Sequence, residues 1–110
     1  MDQLTLREKV GVNYMLLELS GTFNSNTCAE VQQKVYGYIL DSNVVLDMEQ
    51  VTQIDSSGVG IIIAGHNDGE ENDTKLFVMN PSEVTRIALN KTGFIDVFNV
   101  IHSVTEVSDV

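Results

Sequence analysis

A chain of 110 residues, 43% of them apolar and spread along its length, is sized for one folded domain, residues 1–110, and is not disordered throughout. Six basic residues against sixteen acidic ones give a formal charge of −10, which disfavours nucleic acid and anionic membranes and permits a basic protein partner. No apolar stretch approaches the roughly 20 residues of a membrane span, no basic leader precedes an apolar run, and the lone Cys28 excludes an intrachain disulfide, so a cytoplasmic location is expected.

Leu4 to Val10 reads as a first strand and Tyr14 to Leu19 as a second, ending at Ser20-Gly21, with Gly11 to Asn13 turning between them as a hairpin. Asn24 to Thr27 offers helix caps, and Thr27 with Glu30 has capping-box spacing. Cys28, Val31, Val35 and Tyr38 then form one apolar helix face that ends near Leu40. Val44 to Met48 is a short β-branched strand, and Glu49 to Gln53 is expected to loop away from it. Asp55 or Ser56 caps the next helix, whose buried side is Val59, Ile62 and Ile63. Fraying is expected around Gly65 to Gly69, with His66 to Thr74 in a polar, acidic loop.

Lys75 to Met79 is another strand. Asn80 as cap, Pro81 at the first helical position and Glu83 at box spacing predict a third helix, with Val84, Ile87 and Ala88 facing inward and a stop at Gly93. Val97 to Ile101 is the last strand, and Ser103 to Val110 a terminal helix or tail whose Val104 and Val107 pack on the body. The order β-β-α-β-α-β-α-β predicts an α/β domain with parallel pairings, right-handed crossovers, and mixed pairing at the first strands.

The most informative segment is Ile54-Asp55-Ser56-Ser57-Gly58-Val59-Gly60. Its two hydroxyls at a helix start are either one cap and one exposed polar group, or a phosphorylation site. A phosphate there adds roughly 1.5 to 2 negative charges and three strong acceptors. Helix amides tolerate it locally, whereas an acidic partner surface repels it. Asp55 can cap, orient a hydroxyl or hold a metal during phosphoryl transfer. Gly58 and Gly60 allow the backbone to approach a neighbour closely.

Other chemistry is poorly provided for. The serine-hydrolase elbow G-x-S-x-G is absent. His66 lies ten residues beyond Ser56, about 15 Å along a continuous helix, and no spacing brings His102 to it. The run Gly58-Val59-Gly60 is neither a dinucleotide fingerprint nor a phosphate loop, so no cofactor is expected. Glu70-Glu71-Asn72-Asp73 reads as a solvated loop rather than a cation site, and Cys28 as core rather than metal ligand. Phe94 and Phe98 read as packing groups, because no basic patch surrounds them.

In this element order, Asp55-Ser56-Ser57-Gly58-Val59-Gly60 resembles the anti-sigma factor antagonists of the wider STAS domain family. The resemblance extends through Lys75 to Asn80, the Val84 to Leu89 helix, Gly93 and Phe98. It implies a single STAS-type domain, a mixed four- to five-stranded sheet with helices packed mainly on one face. It also implies a binding switch rather than an enzyme. The unphosphorylated protein binds an anti-sigma factor that is typically a serine kinase, and so frees a sigma factor. Phosphorylation at Ser56 ends the binding, and a phosphatase reverses it. The implied docking surface includes Asn24, Ser25, Asp55, Ser56, Ser57, Gly58 and Gly60. One departure is visible: where the family often has G-x-[IVL]-D, this chain has Gly21-Thr22-Phe23-Asn24, an amide in place of a carboxylate. The same domain type also serves as a scaffold in signalling assemblies and as an accessory subunit of lipid transporters.

Overall fold

The structure is a computed structural model and describes residues 2–93 and 95–109. The packing expected of Phe94 and the last residue of the expected tail, Val110, lie outside them. Strands β1 (Leu4–Val10) and β2 (Tyr14–Phe23) form the expected antiparallel hairpin, with Leu6 opposite Leu19 and Glu8 opposite Leu17. Helix α1 (Ala29–Tyr38) leads to β3 (Asn43–Ile54), α2 (Ser56–Glu71) to β4 (Leu76–Met79), and α3 (Glu83–Lys91) to β5 (Asn99–Ile101). A 3-10 helix, Val104–Asp109, closes the described chain.

The sheet runs β1-β2-β3-β4-β5, parallel from β2 onward. Spatial order equals chain order, so every crossover steps in one direction. Crossovers of one hand stepping one way must place their helices on the same face. The core confirms this: Val31, Val35, Val59, Ile61, Ile62 and Leu89 from the three helices pack with Leu17, Leu19, Leu46 and Val78 of the sheet. Alternate strand residues point the other way. There Leu16, Val45, Phe77, Met79 and Ile101 are covered by Val107, with Val104 beside it. The mixed five-stranded sheet with helices on one face is therefore the architecture expected.

Two strands are longer than their composition suggested. Glu49 to Gln53 is not a loop: Gln50, Val51, Gln53 and Ile54 pair with Ser20, Gly21, Thr22 and Phe23, so β2 and β3 extend together. Two register shifts, between Glu18 and Ser20 and between Gly21 and Thr22, bend the extension. Glutamine looks like a loop residue, but here Gln50 and Gln53 pair in the ladder with β2 and Val51 is buried. Strand β5 is shorter than expected, beginning at Asn99.

The helices differ in their ends and faces. Cys28 caps α1 without a side-chain bond; the Thr27 hydroxyl instead donates to Thr22 O at 2.7 Å, so the Thr27–Glu30 box does not form. Helix α2 does not fray at Gly65 but runs on to Glu71. A Cβ at Gly65 would lie 2.8 Å from Val35 Cγ1 and 3.1 Å from Leu76 Cδ2, and one at Gly69 3.0 Å from Thr74 O. These glycines let the helix sit close to α1 and β4, a gain that outweighs their weak propensity. His66 is likewise buried, its ring edge-on to Phe98 at 5.8 Å, with Glu70 3.7 Å from Nε2.

Helix α3 is capped by Ser82, not Asn80; the Ser82 hydroxyl accepts from Thr85 N–H at 3.4 Å, and the Asn80 N–H donates to Ile101 O at 2.9 Å. Its buried row is Thr85 and Leu89, with Ala88 partly buried, one position round from the expected row. One position is about 100° on a helix. That rotation leaves Val84 37% and Ile87 47% exposed. Gly93, at φ +78°, follows the helix end as expected.

A Gly65→Val variant must push Val35 or Leu76 aside. We expect it to lose about 1–3 kcal/mol of stability in urea unfolding, with the denaturant slope unchanged.

Candidate functional site

Strands β2 and β3 end side by side at Phe23 and Ile54. From there one chain turns toward α1 and the other enters α2, and Asp55 sits where they part. Its backbone is extended, as a helix cap requires. Its Oδ1 accepts from Ser57 N–H at 2.9 Å and Gly58 N–H at 3.2 Å, satisfying two of the amides a helix start leaves unpaired. Oδ2 accepts from Ser25 N–H in the neighbouring turn at 3.2 Å, and the Asp55 N–H donates to Phe23 O at 3.3 Å. Of the roles open to Asp55, capping is the one the geometry displays.

The two hydroxyls differ. Ser56 is exposed and its hydroxyl has no hydrogen-bond partner among the described residues, whereas Ser57 is half-buried. Gly58 is buried, and a Cβ there would lie 2.8 Å from Phe23 O and 2.9 Å from Ile54 Cγ1, so close approach is its role. Gly60 does not share it: it faces solvent, with nothing within 4 Å of an added Cβ. Asn24 is half-buried and Ser25 exposed, both in the turn against Asp55.

Two connected hollows meet at Asp55, and one of them reaches Ser56. One, of about 390 Å³, lies between α2 and α3 and is lined by Ser56, Val59, Val84, Ile87, Ala88 and Lys91, among others. The other, of about 350 Å³, is lined by Asn24, Thr52, Gln53, Ile54, Asp55 and Val84. They share Ile54, Asp55 and Val84, so the surface is continuous. Val84, Ile87 and Lys91 were not singled out as site residues from the sequence. Their i, i+3, i+7 spacing marks one helix flank, but nothing in it says which flank faces the sheet.

Neither hollow is lined by histidine or cysteine. His66 packs on Phe98, and the His102 N–H donates to Glu106 Oε2. Cys28 carries a free, half-buried thiol at the cap of α1. Among the described residues no group of three or more His, Cys, Asp or Glu is placed to hold a metal ion, and no helix is long and apolar enough to cross a membrane.

The opposite sheet face has its own hollow of about 380 Å³, lined by Thr5, Arg7, Glu18, Leu19, Ser20, Asp47 and Gln50. Burial raises the Asp47 carboxyl above the usual range, opposed by a bond from the Glu49 N–H and reinforced by the Glu18 and Glu49 carboxylates. A raised folded pKa means a contribution to stability that is full below the usual carboxylate value and lost as pH rises through the raised one. We therefore expect Asp47→Asn to raise the melting temperature at pH 7 and to leave it unchanged at pH 3, measured by thermal unfolding across pH. For the site itself, Asp55→Ala strips three amides of their acceptor. It should cost about 0.5–2 kcal/mol in urea unfolding, with Asp55→Asn closer to the parent.

The sequence profile of the STAS domain matches residues 3–107. No curated protein matches the chain in sequence. Among solved structures, an anti-sigma factor antagonist from Mycobacterium paratuberculosis superposes with a TM-score of 0.80 at 21% identity, over 96% of this chain and 91% of that one. The anti-sigma factor antagonist SpoIIAA in its unphosphorylated form follows at 0.79 and 17%, over 96% and 94%. SpoIIAA of Bacillus in its phosphorylated form gives 0.74 and 19%, over 97% of each chain. A sulfate transporter family protein from Wolinella succinogenes gives 0.66 and 25%, over 86% and 81%.

Proposed function

The chain belongs to the STAS domain family, and on that footing we propose that it is an anti-sigma factor antagonist switched at Ser56. Unphosphorylated, it binds an anti-sigma factor that is also a serine kinase and so frees a sigma factor. In phosphoryl transfer, Ser56 Oγ gains a bond to the terminal phosphorus of the kinase's nucleoside triphosphate. The bond from that phosphorus to the bridging oxygen breaks, the diphosphate leaves, and the hydroxyl proton passes to a base of the kinase. A phosphatase acting on phosphoserine restores the hydroxyl. This domain supplies only the acceptor and the surface.

The observation that carries the reading is the position of Ser56: exposed, without a hydrogen-bond partner among the described residues, on the rim of an apolar groove that Val84 and Ile87 leave uncovered. Burying apolar surface there favours a partner by about 25 cal/mol per Å². A phosphate on the same rim keeps its hydration only if the groove stays open, so continued docking and the phosphorylated state exclude each other. Exposure also separates Ser56 from the half-buried Ser57 as the accessible acceptor.

A second reading, a module of a transporter or scaffold, is favoured by the likeness to the sulfate transporter family protein. The co-purifying partner distinguishes the two: a small kinase for the first, a transporter or scaffold component for the second.

Phosphopeptide mass spectrometry on the chain purified from its own cells should place phosphate on Ser56, and Ser56→Ala should lack it while still binding the co-purified kinase. Ser56→Asp should weaken that binding at least about tenfold, some 1.4 kcal/mol, in a calorimetric titration. Undiminished affinity overturns the switch. Ile87→Asp should weaken it comparably with little loss of stability, because the side chain is half-exposed.

A further inference from the structure

The start of β1 runs past the site in a way that the Asp55–Gly60 motif does not require. Gly21 adopts φ +109°, and a Cβ there would lie 2.4 Å from Gln3 O. Only glycine admits that approach. Thr22 N–H donates to the same Gln3 oxygen at 2.8 Å, carrying the β1–β2 pairing one residue beyond Leu4. Asp2 is thereby delivered to the turn that follows β2. Its Oδ2 accepts from Asn24 Nδ2 at 2.7 Å and from Asn26 Nδ2 at 3.2 Å. Asn24 Oδ1 in turn accepts from Asn26 N–H at 2.9 Å, so Asn24 uses both ends of its amide. Between the two asparagines, Ser25 N–H donates to Asp55 Oδ2.

We propose that Asp2 is a positioning residue for the Ser56 switch, holding the Asn24–Asn26 turn in the geometry that lets Ser25 engage Asp55. Its functional consequence rests on the Ser56 reading above; the coupling itself does not. The proposal accounts for the amide at position 24. A carboxylate there would face the Asp2 carboxylate at hydrogen-bond distance with no proton between them. Asp2 already carries the negative charge of this corner, and Asn24 supplies the donor it needs. The bonds from Asn24 and then Asn26 hold the Asp2 carboxyl below its usual range. The brace is therefore intact above the ordinary carboxylate value and lost as pH falls through the lowered one. Asp2 is exposed, so the brace acts on geometry more than on stability.

The test is amide hydrogen exchange and side-chain amide titration by ¹⁵N NMR on the full chain and three variants: Asp2→Ala, Asn24→Asp, and the exchange D2N/N24D. Exchange at Ser25 should quicken about tenfold in each single variant and return close to the parent in the double, where donor and acceptor have traded places. In the parent, the Asn24 and Asn26 side-chain amide signals should follow one carboxylate titration below the usual range. Asp2→Ala should abolish it, although Asp55, the other carboxylate against this turn, remains. Unchanged Ser25 exchange in the single variants, no recovery in the double, or a titration that survives Asp2→Ala overturns the proposal. No kinase or phosphate enters the measurement. Its failure would leave the Ser56 reading standing, and an unphosphorylated Ser56 would leave the brace standing.

Discussion

Two parallel strands that end together must send their chains to different helices without abandoning backbone polar groups, and Asp55 meets that requirement. Its N–H completes the ladder onto Phe23 O, one carboxylate oxygen serves the first amides of α2, and the other serves Ser25 in the turn toward α1. Unsatisfied, each of those amides would cost on the order of a kcal/mol or more where water is excluded. Gly58 depends on the same junction, because only a residue without a side chain lets the first turn of α2 rest on Phe23 O. The position of Ser56 follows: one residue past the cap, it is held by the helix yet turned to solvent.

What surrounds Ser56 is the outcome of competition for the core. Helix α3 buries Thr85 and Leu89, leaving Val84 and Ile87 on the groove. On the proposed reading, and on a chain of charge −10, an apolar groove with Lys91 to set against Asp55 is a place where a partner meets little net acidic repulsion. A phosphate on the rim reverses that locally. On that proposed reading, recognition and its cancellation need only one helix start and one helix flank, with the sheet as a rigid mount.

The element types were legible because their periods are strong. The hairpin from Leu4 to Leu19, the Val31–Val35 face of α1 and the final cover from Val107 follow from alternation and helical spacing. The continuation of β3 through Glu49 to Gln53 was not legible, because its partner is the equally polar end of β2 and only their pairing makes either a strand. Gly65 and Gly69 signal fraying by propensity alone; their contacts with Val35, Leu76 and Thr74 turn them into packing points. In the site, Asp55 as cap and Gly58 as close contact were readable from their neighbours, whereas Gly60 was assigned a closeness it lacks.

The amino-acid order by itself determined the succession of strands and helices, the antiparallel start and parallel continuation, and the placing of paired hydroxyls at a helix start after an aspartate. Those properties are local, set by side-chain period, capping chemistry and the reach of a crossover helix. Tertiary structure decided how far the strands extend, which flank of α3 stays open, that Ser56 rather than Ser57 is exposed, and that Asp2 meets Asn24 across 22 residues of chain. Each of these depends on which surfaces compete for the same partner, and that competition exists only once the sheet has assembled.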